Sequence, residues 1–281
     1  MKRKLTALFL TASLSLLALT GCGQSNAPAE NAADNTTAQE EQAADLLAQI
    51  RERGTITIAT EGTWAPWTYH DENDQLVGYD IEVARAVAEK LGVEPEFIEG
   101  EWDGLLAGVD SGRYDIMANG VDIDPAREEQ YDFSVPYAYN RVAIIVQGDN
   151  TDITSFEDLA GKTTANTLNS TYAILAEENG ATVTAVDDLN QTIELLLSGR
   201  IDATLNSEVT YYDYMNEHPD ANLKIAALTE DATEVGIPMR SGEETASLRE
   251  AIDAALTELS EDGTLSELSN KYFGTDISQA S

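Results

Sequence analysis

Cysteine is almost absent: Cys22 stands alone among 281 residues. No intramolecular disulfide can form, so stability has to come from a buried core. Histidine is nearly as scarce, with His70 and His218 far apart in the chain. A tetrahedral zinc centre of Cys and His has too few ligands to draw on, and a Cys–His nucleophilic pair has no better footing. Basic residues are few, 16 Lys and Arg against 51 Asp and Glu, for a net charge of −35. Nucleic acid is therefore excluded as a partner, since phosphate contacts need clustered Lys and Arg. A peripheral helix on anionic lipid fails on the same ground. The acid itself reads as solubility and self-repulsion, and identifies no ligand. Long apolar runs are missing too. Residues 5–19 make the longest, about 15 residues, short of the roughly 20 that span a bilayer.

That run is placed as an address. Lys2, Arg3 and Lys4 precede it, and Leu19-Thr20-Gly21-Cys22 follows. A basic start, a short apolar stretch and small residues before a cut describe a secretory signal over residues 1–21. Leu-Thr-Gly-Cys at this point resembles the bacterial lipobox, which implies acylation of Cys22 and a chain held on the outer face of the cell membrane. Residues 22–44 have few large apolar side chains and read as a flexible tether. The remainder has ordinary apolar content, enough for a globular core of one or two lobes.

Strand and helix signals alternate from there on. A helix is expected over 45–53 with Gly54 as its stop, then the β-branched strand Thr55–Thr60, TITIAT. Residues 61–74, rich in Gly, Pro, Asn, Asp and aromatics, read as a loop. Apolar positions at helical spacing mark 81–91. A strand follows at 95–98, a helix at 102–111 and a strand at 114–119. Such alternation indicates βαβ units and parallel sheet. The stretch SGRYDIMAN at 111–119 is echoed by SGRIDATLN at 198–206, which suggests two lobes built alike. The layout divides into a first lobe over 45–142, a second over 143–235, and a return segment over 236–281 that ends in two amphipathic helices. If those helices pack on the first lobe, the chain crosses between lobes twice and makes a two-strand hinge. Open α/β sheets bind ligands at the carboxyl ends of their strands. The strand ends at Asn119 and Asn206 would then face one cleft.

The loops at those ends supply the candidate site. Asp124-Pro125 starts a helix, Asp as N-cap and Pro at the first position. Arg127 then lies in the first turn, where a cation opposes the macrodipole unless an anion sits between them. Its guanidinium suits a carboxylate, and its competing role is an ion pair with Glu128. Thr167, Ser170 and Thr171 precede the next helix, where hydroxyls and free N–H groups can meet the same anion or simply cap. Trp64 and Trp102 are candidates for an aromatic wall around a ligand, or for interlobe packing. Glu61 and Asp122 are candidates for an ammonium, or solvated loop acids. Gly120 and Ser207 complete the strand-end set with Asn119. Neither a metal site nor a cofactor is indicated.

The runs TITIATEGTWAPWTY, GYDIEVARAVAEKLGV, WDGLLAGVDSGRYDIMANGVDIDPAREEQYDFSVPY, SGRIDATLNSEV and DGTLSELSNKYFG resemble the bacterial extracellular solute-binding proteins for polar amino acids. Those proteins serve ATP-binding-cassette importers, and TEGTWAPWTYHD, ANGV and TLNSTYAILAEENGA look nearest the cystine-binding branch. The resemblance covers roughly residues 46–276. It implies a two-lobed α/β fold of the type II periplasmic-binding-protein kind, a hinge of two strands, and closure on one amino acid. It also implies delivery to membrane permease subunits by a monomer with no cofactor. Arg127 matches the carboxylate-binding arginine, Trp64 and Trp102 the aromatic wall. Gly120, Asp122, Ser170 and Thr171 match positions at the α-amino and α-carboxylate groups. The family usually has Ser or Thr at the position of Asp122, and Asp at the position of Ser207. Asp122, with Glu61, is expected to replace the missing acid as ammonium partner, or else to read a second ammonium. Two other classes compete: a dehydratase-like enzyme using Glu61 and Asp122 as acid and base, and a receptor-like sensor. The sequence has no nucleophile–base pattern and no fused signalling domain to favour either.

Overall fold

The computed structural model describes residues 45–280. The signal, Cys22 and the tether expected over residues 1–44 lie outside the described residues.

The first helix runs Leu46–Arg53. Asp45 caps it by accepting the Ala48 N–H at 3.2 Å, and Gly54 ends it at φ +75°, a conformation that costs glycine nothing. The strand Thr55–Thr60 follows at once and buries Ile56 and Ile58 completely. It is the centre of a parallel sheet, with Glu94–Glu99 on one side and Ile116–Met117 on the other. The helix Tyr79–Leu91 covers this sheet with Val83, Ala84 and Val87. Against it pack the last two helices, Ala246–Glu261 and Thr264–Phe273, through Leu248, Ile252, Leu256 and Leu265. Each such side chain removed from water contributes roughly 1.5–3 kcal/mol. The chain's end therefore belongs to the same core as its beginning.

A second body is built on Val142–Gln147. This strand pairs antiparallel with Thr204–Ser207 and with Leu223–Leu228, because it comes out of the hinge instead of a βαβ crossover. Beside it Thr163–Asn166 and Thr182–Ala185 run parallel. Between the bodies, Ala138–Asn140 pairs with Thr233–Val235. These two short strands are the crossings, and the fold is the two-lobed α/β architecture with a two-strand hinge.

The repeated SGR segment has a structural cause. Gly112 and Gly199 both sit at positive φ, 71° and 67°. The Asp two residues after the Arg then ties the turn to a neighbouring strand in each lobe. Asp115 accepts the Thr57 N–H and hydroxyl, both at 2.7 Å. Asp202 accepts the Thr163 N–H at 2.7 Å and hydroxyl at 2.8 Å.

The expected loop over 61–74 is more ordered than its composition suggests. Thr63–Trp64, Thr68–His70 and Leu76–Val77 form a three-stranded antiparallel meander. Its strands are two or three residues long, too short for periodicity to register.

Candidate functional site

A cavity with an empty volume of about 610 Å³, its mouth included, lies between the lobes at the strand ends. Eight of the residues expected at a site line it: Glu61, Trp64, Trp102, Gly120, Asp122, Thr167, Ser170 and Thr171. Three do not. Asn119 is fully buried behind the wall, donating its amide to Glu61 at 2.6 Å and accepting the Glu61 N–H at 2.7 Å. Ser207 is also fully buried, its hydroxyl 2.6 Å from the Asn140 side-chain oxygen on the hinge. Arg127 sits just behind the wall.

Arg127 is 8% exposed, with its Nη1 3.0 Å from both the Asp122 carbonyl and the Thr171 hydroxyl. Its charge lies 5.3 Å over the Trp102 ring. The anion expected between Arg127 and its helix terminus is Asp124 of the chain itself. One oxygen of Asp124 caps the Ala126 and Arg127 N–H groups at 3.0 Å, and the other lies 3.3 Å from Arg127 Nε. The helix Pro125–Glu128 has only four residues, so its dipole is small, and among the described residues Arg127 pairs with Asp124 and not with the competing Glu128. Among the described residues Arg127 Nη2 is held only by a 3.5 Å contact to the Asn169 carbonyl, which leaves it the least engaged arm of the guanidinium.

The acids are conditioned by burial. Asp122 is 4% exposed, and desolvation pushes its carboxyl above the usual range despite hydrogen bonds from Thr233 and Thr171 and the nearby Arg127 charge. Thr233 Oγ1 lies 2.7 Å from it, on the hinge strand. Glu61 is raised as well, by burial first and by the facing Asp188 in addition, while Asn119 opposes both. Such groups take up a cation readily, because the cation relieves the cost of the buried charge.

The cavity has a second lobe-two contribution that the sequence reading left out. Asp188 caps the helix Leu189–Leu197, accepting the Gln191 N–H at 2.9 Å, and lines the cavity with Leu189, Thr192, Asn166, Tyr172 and Asn206. Asp188 follows a strand and precedes a helix, as Ser170 does. A helix start at Leu189 is the local signal that marks Asp188 as its cap. Thr63 completes the wall on the first lobe. Two polar atoms on the lining have no partner, the Asn166 Oδ1 and the Trp102 Nε1. The Asn166 amide nitrogen is fixed by the Leu205 carbonyl at 2.8 Å, so the free atom is an acceptor.

Contacts cross the cleft. Trp64 stacks on Trp67 at 5.4 Å, donates from Nε1 to Asn206 at 3.3 Å, and meets the Tyr172 ring edge-on at 6.2 Å. Asn169 donates to Asp103 at 3.1 Å. The lobes are thus closed on each other. No helix among the described residues is long and apolar enough to cross a membrane.

Residues 56–275 match the family model for bacterial extracellular solute-binding proteins, family 3. The L-cystine-binding protein TcyA of Bacillus subtilis is 39% identical over 99% of this chain and 100% of its own. Among solved structures, the L-cystine solute receptor of Neisseria gonorrhoeae in its unliganded open conformation is 39% identical. It covers 83% of this chain and 98% of the receptor, with a TM-score of 0.57. An ancestral arginine-binding protein bound to arginine is 37% identical over 79% of this chain and 99% of its own, with a TM-score of 0.73. At similar identity the open receptor superposes less well, in keeping with the closed cleft here.

Proposed function

The chain belongs to the bacterial extracellular solute-binding proteins, family 3, and from that footing we propose that its cleft captures L-cystine, without chemistry, for delivery to a membrane permease. One observation carries the choice of ligand: the cavity has two separate acidic centres. Asp122 stands beside Arg127, a pairing suited to one α-ammonium and one α-carboxylate. Glu61 and Asp188 face each other from opposite lobes near the free Asn166 oxygen. A second ammonium fits there, and cystine carries two.

In this reading Arg127 Nη2 takes the first carboxylate together with the backbone N–H groups at the start of the helix Thr171–Glu178. Asp122 takes the first ammonium in place of the acid missing at Ser207. Trp64 and Trp102 wall the apolar middle. A ligand that touches both lobes stabilises the closed form by its differential affinity for it. The bodies that close are residues 45–142 with 236–281, and residues 143–235. Cys22 carries the lipid that holds the monomeric protein at the cell surface.

The test is a melting-temperature screen of protein stripped of carried-over ligand by unfolding and refolding. Cystine, the twenty amino acids and diaminopimelate are the panel. Binding at a hundredfold excess over Kd adds about 2.7 kcal/mol of apparent stability. Cystine is expected to give a selective rise that Arg127→Ala abolishes. No shift with any amino acid would sink the proposal.

A further inference from the structure

The helix Tyr79–Leu91 begins with an acid that the binding reading does not use. Asp80 is fully buried, and among the described residues no Lys, Arg or His pairs with it. Its two oxygens go in two directions. One accepts a hydrogen bond from the Gly120 N–H. The other accepts the Tyr137 hydroxyl at 2.6 Å.

Both partners matter to the cleft. Gly120 lines the cavity and holds φ +54°, where a Cβ would come within 2.7 Å of Trp64 Cζ3. Its backbone is therefore set against the same indole that reaches across to Asn206. Tyr137 immediately precedes the hinge strand Ala138–Asn140, and its N–H already bonds the Val235 carbonyl on the other hinge strand at 3.0 Å. Its carbonyl accepts the Tyr79 hydroxyl at 2.9 Å. The Tyr79 and Tyr137 rings stack at 6.0 Å.

We infer that Asp80 is a positioning residue: its single buried carboxylate fixes the Gly120 wall of the cleft and the start of the hinge together, so that ligand affinity follows the charge on Asp80. A dry carboxylate with two donors aimed at it is a strong orienting group when charged and a weaker one when protonated. Burial lifts it to about 7, against the opposing pull of Tyr137 and Gly120. Tyr79 and Tyr137 are the titratable groups facing it, and burial first of all raises both phenols far from neutrality. Asp276 acts on Tyr79 from the C-terminal segment and Asp122 acts on Tyr137 from the cleft. Asp80 therefore changes charge in the neutral range. The inference about affinity rests on the amino-acid reading of the cleft; the anchoring of Gly120 does not, and the test separates them.

The ligand-free readout is the Gly120 amide in the NMR spectrum of the full chain. In the wild type it is expected far downfield and titrating around pH 7. In Asp80→Asn it moves upfield and no longer titrates. The second readout is the Kd for L-cystine at about pH 8 and pH 6. Asp80→Asn is expected to weaken binding about tenfold at the higher pH, the scale of one charged hydrogen bond, with an unlowered ligand-free melting temperature. Asp122 and Glu61 are common to both proteins, so any pH dependence they bring is shared, and the wild type should lose more affinity on acidification than the variant. Tyr137→Phe keeps the Gly120 titration and loses less affinity. Should Asp80→Asn not fold, the wild-type titration and Tyr137→Phe carry the test. A Gly120 amide that ignores pH, or an Asp80→Asn protein with wild-type affinity and pH profile, would overturn the inference. If cystine binds neither protein, the ligand reading has failed, and the Gly120 titration still decides the anchor.

Discussion

The two walls of the cleft are made of different chemistry. The first-lobe wall presents charge on side chains that are each fixed from behind. Glu61 is held by Asn119 at 2.6 Å, Asp122 by Thr233 at 2.7 Å, and the Gly120 backbone by Asp80. The second-lobe wall presents two helix starts, at Ser170 and Asp188, with hydroxyls and backbone N–H groups around them. Its one acid, Asp188, already has both oxygens on Gln191, at 2.9 and 3.0 Å. The same contrast separates these acids from the surface ones. Burial raises Asp80, Asp122 and Glu61, whereas hydrogen bonds from backbone and hydroxyls at turns lower Asp158 and Asp202. Buried, raised acids cost the ligand-free fold stability as they ionise, and that cost falls when a cation arrives. On the proposed reading the first wall supplies recognition by relief of buried charge. The second adds Asp188 opposite Glu61 and neutral donors that become useful once the lobes meet.

Breaking the first wall should therefore cost the most. Asp122→Asn removes the acid beside Arg127 and leaves no charged partner for the α-ammonium. We expect about 2–3 kcal/mol, on the order of a hundredfold in Kd for every amino acid that binds. Isothermal titration measures it. A loss confined to cystine would instead place Asp122 at the second ammonium. Glu61→Gln sharpens the comparison within the same wall. It should cost cystine about tenfold and leave amino acids with a single ammonium nearly unchanged. The ligand-free melting temperature should rise, because Glu61 and Asp188 no longer repel. An equal loss for all ligands would show that Glu61 has no separate subsite.

How far the sequence carried these walls depends on the span of each signal. The βαβ alternation, the SGR echo and the final amphipathic helices are local patterns, and each became an element of the expected kind. Eight of the eleven expected site residues reach the cavity because they follow strand ends or precede helices, places that topology alone sends to the cleft. What was illegible is pairing across long separations. Nothing near Ser207 announces that its hydroxyl turns to Asn140 on the hinge. Asp80 looks like an ordinary first-turn acid on an amphipathic helix until Gly120 and Tyr137, 40 and 57 positions away, are brought onto it. The helix dipole invoked for Arg127 is small, because the helix has only one turn, and Asp124 supplies the anion.

The smallest effect should come from the second wall. Ser170 caps the helix Thr171–Glu178, its Oγ accepting the Ala173 N–H at 3.2 Å while its own proton goes to the Thr167 carbonyl at 2.6 Å. Both functions of the hydroxyl are spent inside the lobe before any ligand enters. Ser170→Ala should cost about 1 kcal/mol of stability, the usual worth of a lost cap. Its cost in affinity should be less, a few-fold at most, because the backbone N–H groups that face the carboxylate remain. Melting temperature with and without cystine separates the two quantities. If affinity falls more than stability, the Ser170 hydroxyl leaves Thr167 for the ligand on binding. The second wall would then contribute directed contacts, and the division between a recognising wall and a closing wall would no longer hold.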